Sequence, residues 1–149
     1  MKEATLSIIK DIQNNRFVMI RHHRGMNKGF VNFPGGKKEE SDADMVACVK
    51  RETLEETGLT IFNPKFVGYM EFPPMDIKVY TYFSTEFEGE LHPKKDEVDV
   101  FWQDANNIPY DQMRTADADF LPEILAGKVV QKRYFYAPDG SLEKIEKIK

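Results

Sequence analysis

The sequence predicts an α/β (α+β) domain in which a sheet of short strands carries a few helices, and three observations lead there. Short runs rich in β-branched and aromatic residues recur between Gly, Pro and Asn punctuation. One segment, residues 44–57, contains neither Gly nor Pro and stops at Gly58, the residue type of a left-handed helix C-cap. The chain has 149 residues, 41% of them apolar and 31% charged, enough for one buried core under a polar surface and about the size of one domain.

In chain order, residues 5–9 and 17–21 read as strands joined at Asn14-Asn15, an N-terminal hairpin. Residues 22–36 carry Gly25, Gly29, Pro34, Gly35 and Gly36, a glycine-punctuated loop with room for no more than a short strand. The helix at 44–57 follows, with Ser41, Asp42 and Asp44 as candidate N-caps. Residues 59–71 and 77–87 read as strands about a turn at Pro73-Pro74, and 98–102 as another. A second helix is expected at 117–125 and a late strand at 129–136, while 142–149 fits either strand or helix end.

The 44–57 helix carries an unusual face. Met45, Cys48 and Val49 recur at i, i+3, i+4, and the same stripe runs on into Glu52, Glu55 and Glu56. Three carboxylates there repel one another and oppose the negative end of the helix dipole. A hard divalent cation such as Mg²⁺ removes that conflict, since it binds through a few carboxylates and completes its shell with water and phosphate oxygens. The Gly35-Gly36 bend could add a backbone carbonyl. A solvated patch neutralised by Lys50 and Arg51 is the plain alternative, ordinary for an isolated Glu pair but less so for three on the continuation of an apolar stripe. An EF-hand from Asp42 and Asp44 fails for want of its glycine, and a P-loop at Gly36-Lys37 fails because Lys38 stands where Ser or Thr must hold the metal.

Gly35-Gly36-Lys37 and the run Arg51-Glu52-Thr53-Leu54-Glu55-Glu56-Thr57-Gly58-Leu59 together resemble the Nudix box, G-x5-E-x7-R-E-U-x-E-E-x-G-U with U aliphatic. The match departs from it at three points: Asp42 stands for the first glutamate, one residue is inserted before Arg51, and Thr53 replaces the aliphatic. The likeness extends over most of the chain to the MutT type, above all its mammalian branch acting on oxidised purine nucleoside triphosphates. It is carried by residues 31–37, Asp96-Glu97 before Trp102, Ile108-Pro109-Tyr110 through Met113, and Phe120-Leu121-Pro122.

The resemblance implies an α/β/α sandwich with a mixed sheet between helices, and Mg²⁺ or Mn²⁺ held by Glu52, Glu55 and Glu56. Gly36 would contribute its carbonyl and Glu97 a further metal-binding carboxylate. Either Glu56 or Glu97 would be the base, Arg51 would orient the box, and Asp42, Glu39 or Glu40 would hold the loop. Asn32 and Asp117 would read the purine edge, with Ala116 where a second aspartate is usual and Arg114 in place of a stacking tryptophan. The implied reaction cuts a (modified, such as 8-oxo) purine nucleoside triphosphate to monophosphate and pyrophosphate. Two alternatives are the same chemistry on a dinucleoside polyphosphate or nucleotide sugar, and a non-catalytic nucleotide-binding regulator.

Beside that likeness, Lys37 is placed to approach a phosphate, with Arg21 and Arg24 in the same region, and Phe72 and Met75 flank the Pro73-Pro74 turn as pocket walls. Adjacent His22 and His23 point to opposite faces of a strand and are not expected to share an ion. Cys48, the one cysteine, reads as core. Trp102, Tyr80, Tyr82 and Phe83 read as packing residues. A net charge of −4 argues against a nucleic-acid polymer as partner, and the absence of a long apolar run argues against a membrane one. A cytoplasmic monomer or homodimer acting on a small nucleotide is expected.

Overall fold

Strand β1 (Lys2–Asp11) organises the molecule because its two faces carry different chemistry. Leu6 and Ile8 point into one apolar cluster, while Ile9 joins another on the opposite side, with Thr5 and Ser7 turned towards the first helix. The computed structural model describes residues 1–94 and 96–148, and the elements named here are those of the described residues.

Around β1 the chain builds a nine-stranded mixed sheet. β7 (Ile77–Ser84) runs parallel along one edge of β1. The other edge is shared by β4 (Gly35–Lys37), antiparallel to Ala4–Leu6, and by β2 (Arg16–His22), joined at Lys10↔Phe17. β6 (Lys65–Phe72), β10 (Val130–Tyr136) and β11 (Leu142–Lys147) extend the sheet beyond β7. β3 (Val31–Asn32) and β9 (Val98–Asp104) flank β2. A separate two-stranded sheet pairs β5 (Thr60–Phe62) with β8 (Glu86–Glu88).

Helix α1 (Met45–Thr57) covers one face through Val49 with Ile9, Val18, Leu59 and Tyr82. Helix α2 (Thr115–Leu125) covers the other through Phe120, Leu121 and Ile124 with Leu6, Ile8, Phe17 and Met19. The sandwich is thus as the resemblance implies. Tyr80 and Tyr82 lie on the α1 side, whereas Phe83 packs on the α2 side, as period-two alternation requires. No helix among the described residues is long and apolar enough to cross a membrane.

Several boundaries differ from the sequence expectations. The runs at 59–71 and 77–87 are each broken in two: Asn63 adopts a left-handed φ of 52° between β5 and β6, and the chain leaves the large sheet between β7 and β8. The ambiguous tail is strand β11, antiparallel to β10. Asp44 is the N-cap of α1, its carboxylate accepting the Ala47 N–H at 2.8 Å, and Gly58 caps the other end at φ 83°.

Candidate active site

The glutamate-bearing turns of α1 lie against β4 because two glycines allow it. A Cβ on Gly35 would fall 2.0 Å from the Thr5 carbonyl oxygen, and one on Gly36 would fall 2.4 Å from the Glu52 carboxyl carbon. The close approach of β4 to β1 therefore requires glycine at Gly35, while at Gly36 the clash falls on the end of the Glu52 side chain, and the Gly35 N–H donates to Glu56 Oε1 at 2.7 Å.

Arg51 is the hub of this region. Its guanidinium donates to both oxygens of Asp42 at 2.8 Å each, to Glu52 Oε1 at 2.9 Å, to Glu55 Oε2 at 3.2 Å and to the Lys37 carbonyl at 3.2 Å, and it pairs with Glu39 at 2.9 Å. The bidentate Arg51 contact holds the buried Asp42 carboxyl far below the usual carboxylate range and raises the arginine in turn. The departures from the box therefore have a structural reading. Asp42 also accepts the Glu39 N–H, so the extra residue sits in a loop tied at both ends. Thr53, fully buried, donates to Ser7 on β1, where an aliphatic would leave that hydroxyl without this partner.

A divalent cation finds suitable chemistry here: three carboxylates on successive turns and a glycine cradle against Glu52. The Gly36 carbonyl lies in β4 opposite Thr5, and it is also 3.4 Å from the Thr5 hydroxyl and 3.8 Å from the Cys48 thiol. Among the described residues no three carboxylate, histidine or cysteine side chains are gathered around one point. Glu52 and Glu55 turn to Arg51 and Glu56 to Gly35, so binding an ion requires rotation of these side chains. Glu97 is exposed in the segment before β9, its carbonyl accepting the His23 N–H at 3.0 Å. That segment leaves the same helical turn, where the Lys94 N–H donates to the Glu55 carbonyl at 2.8 Å.

On the other side of β4 lies a cavity of about 390 Å³, lined by Asn32, Lys37, Phe72, Arg114 and Asp117 among others. These are the five side chains expected to bind substrate. Met75 also lines it, as expected of its place beside the proline turn. Phe72 stacks on Tyr136 with centroids 6.3 Å apart. Asn32 Oδ1 accepts the Phe33 N–H at 2.8 Å, leaving the amide nitrogen as its donor to a ligand. Asp117 is 7% exposed, and its Oδ2 is buried without a hydrogen-bond partner. Burial pushes its carboxyl up to about 7, against the lowering effect of the Arg114 backbone and charge.

The guanidinium of Arg114 is engaged by the protein. It lies 4.2 Å over the Phe30 ring and donates to the Met26 carbonyl at 2.7 Å and Asn27 Oδ1 at 3.2 Å. Arg21 donates to the Gly29 carbonyl at 2.9 Å and to Gln112. Two arginines thus staple the 23–30 loop to the start of α2, where Met26 and Asn27 form part of the cavity wall. Arg24 reaches the Asp96 carbonyl at 3.5 Å. His23, just beyond β2, pairs with Asp99 at 3.0 Å, while His22, the last residue of β2, is half-buried.

The sequence pattern singled out neither Tyr136 nor Asn27, both of which line the cavity. The available signal was the period-two spacing of Tyr134 and Tyr136, which puts both rings on the α2 face of β10.

The family profile described as NUDIX domain covers residues 1–124 of the chain. The chain belongs to the Nudix family. It is 31% identical over 129 residues to the oxidized purine nucleoside triphosphate hydrolase of Danio rerio, a match covering 83% of this chain and 80% of the relative. The 8-oxo-dGTP diphosphatase of Proteus vulgaris is 32% identical over 90 residues, covering 59% of this chain and 80% of that one. The crystal structure of a MutT protein from Bacillus halodurans superposes with a TM-score of 0.81 at 24% identity, covering 98% and 97% of the two chains, and shares the fold. The protein is a Nudix hydrolase, and its relatives include enzymes named for 8-oxo-dGTP.

Proposed function

We propose that this Nudix hydrolase, as a single domain over residues 1–149, is a Mg²⁺- or Mn²⁺-dependent pyrophosphohydrolase of modified purine nucleoside triphosphates such as 8-oxo-dGTP. Its products are the nucleoside monophosphate and pyrophosphate. The observation that carries this reading is the continuity of the site through β4. Lys37 lines the base-sized cavity with its side chain, while its carbonyl is tied to Arg51, which in turn engages Glu52 and Glu55.

Asn32 and Asp117 recognise the purine edge, Phe72 packs on the base, and Lys37 faces the polyphosphate. Arg114 acts through the 23–30 loop that it holds. Glu52, Glu55 and Glu56, with the Gly36 carbonyl and Glu97, hold the divalent cation, and Arg51 keeps Glu52 and Glu55 in register on the helix. When bound, the cation would supply charge neutralisation on the phosphate oxygens and would make a water more acidic. Glu56 or Glu97 is the carboxylate that would take up the proton of the attacking water. A panel of 8-oxo-dGTP, dGTP, ATP, a dinucleoside polyphosphate and a nucleotide sugar, with Mg²⁺ and pyrophosphate detection, should favour the oxidised purine triphosphate; faster turnover of the nucleotide sugar would refute the reading.

A further inference from the structure

The start of α2 lacks a side-chain N-cap, since Arg114 at that position makes no capping hydrogen bond. Its place is filled from another element. The Tyr136 hydroxyl oxygen, on β10, accepts the Ala116 N–H at 2.8 Å, satisfying one of the orphan donors of the first turn. A phenol that accepts in this way still has its own proton to donate, and Tyr136 lines the same cavity as Asn32 and Asp117. Burial raises its phenol, and the nearby Asp117 charge adds to that effect. Asp117 Oδ2 is the complementary half: a buried acceptor without a protein partner.

We propose that Tyr136 is a specificity-determining residue, donating its hydroxyl proton to the oxygen at C6 of a 6-oxo purine while ionised Asp117 accepts from N1–H. This deepens the function proposed above and rests on its placement of the base. A 6-oxo purine presents acceptor then donor at C6 and N1, and the Tyr136–Asp117 pair offers donor then acceptor. A 6-amino purine presents the reverse order, so the tyrosine proton would face an amino group and the carboxylate a ring lone pair. Buried polar groups left mismatched in this way discriminate against the wrong base.

The test compares the wild-type protein with Tyr136→Phe by calorimetric titration of dGMP, 8-oxo-dGMP and dAMP at pH 8. Loss of one neutral hydrogen bond should weaken the two 6-oxo nucleotides roughly five- to tenfold, leaving dAMP within about twofold. Equal losses for all three, as loss of the α2 cap alone would cause, overturn the proposal, as does no loss, or a wild type that binds none of them. Should Tyr136→Phe fail to fold, 2-aminopurine deoxyribonucleoside monophosphate makes the cut from the ligand side. It lacks the oxygen at C6 and with it the proton on N1, so it tests the Tyr136–Asp117 pair together: wild-type affinity for it equal to that for dGMP overturns the proposal, while a loss larger than that stated for one hydrogen bond supports it. Turnover is not required: a wild type that binds dGMP but releases no pyrophosphate would refute the enzymatic reading and leave the Tyr136 result standing.

Discussion

Replacing Asp117 by Asn keeps the shape of a buried side chain and removes its titration. In the wild type, burial pushes this carboxyl from its ordinary 3.8 up to about 7. At about 1.4 kcal/mol per unit, that gap corresponds to up to ~4 kcal/mol between ionising the group in the folded and in the unfolded chain. Between pH 3.8 and 7 the folded chain holds the proton that the unfolded chain has lost, so this group lowers stability as pH rises through that window, with the full penalty above it. Asp117→Asn should therefore match wild type within ~1 kcal/mol near pH 4 and exceed it by up to ~4 kcal/mol at pH 8. Urea unfolding of both proteins at pH 4, 6 and 8 measures this, because the other titrating groups cancel in the difference. A difference that stays constant with pH would refute the argument that burial governs Asp117. The same titration should appear in function: the wild-type preference between 6-oxo and 6-amino purines should change through pH 7, and that of Asp117→Asn should not.

Further outcomes follow from the hub and the loop. Asp42→Asn loses the charge in the bidentate Arg51 contact and should cost roughly 2 kcal/mol at neutral pH. Because the native Asp42 carboxyl is depressed, its contribution is present above pH 3.8 and is lost as pH falls below it, so wild type and variant should converge in acid unfolding. Glu56→Gln should retain the fold, seen as an unchanged near-ultraviolet circular dichroism spectrum, while kcat falls by about two orders of magnitude or more. Arg114→Ala releases Met26, Asn27 and Phe30, so hydrogen exchange over residues 23–30 should accelerate and KM rise more than kcat falls; an unchanged exchange rate would contradict the staple.

Much of this was legible in the sequence because it depends on local rules. The helix, its Gly58 cap, the acidic continuation of its apolar stripe and the N-terminal hairpin all follow from spacing within a few residues. Asn15 takes φ 49° in the hairpin turn, where asparagine tolerates the left-handed region. What spacing could not reveal was long-range partnering. That Asp42 takes the bidentate contact from Arg51 Nε and Nη2 while Glu39 pairs with Nη1, that Thr53 answers Ser7 across 46 residues, and that Arg114 faces a loop 87 residues away are properties of side chains brought together by the sheet. The broken strands were missed for a related reason. A run of β-forming residues does not say which sheet each part joins, and β5 and β8 pair with each other outside the large one.

In the proposed function, the glutamate turns of α1 and the cavity holding Asn32 and Asp117 form one site for a purine nucleoside triphosphate. The most direct measurement is phosphorus NMR of 8-oxo-dGTP incubated with the protein and Mg²⁺, beside Glu56→Gln. Pyrophosphate and 8-oxo-dGMP appearing only with the wild-type chain, and only with the metal present, is the predicted result. Release of inorganic phosphate instead of pyrophosphate, or equal turnover by Glu56→Gln, would contradict it.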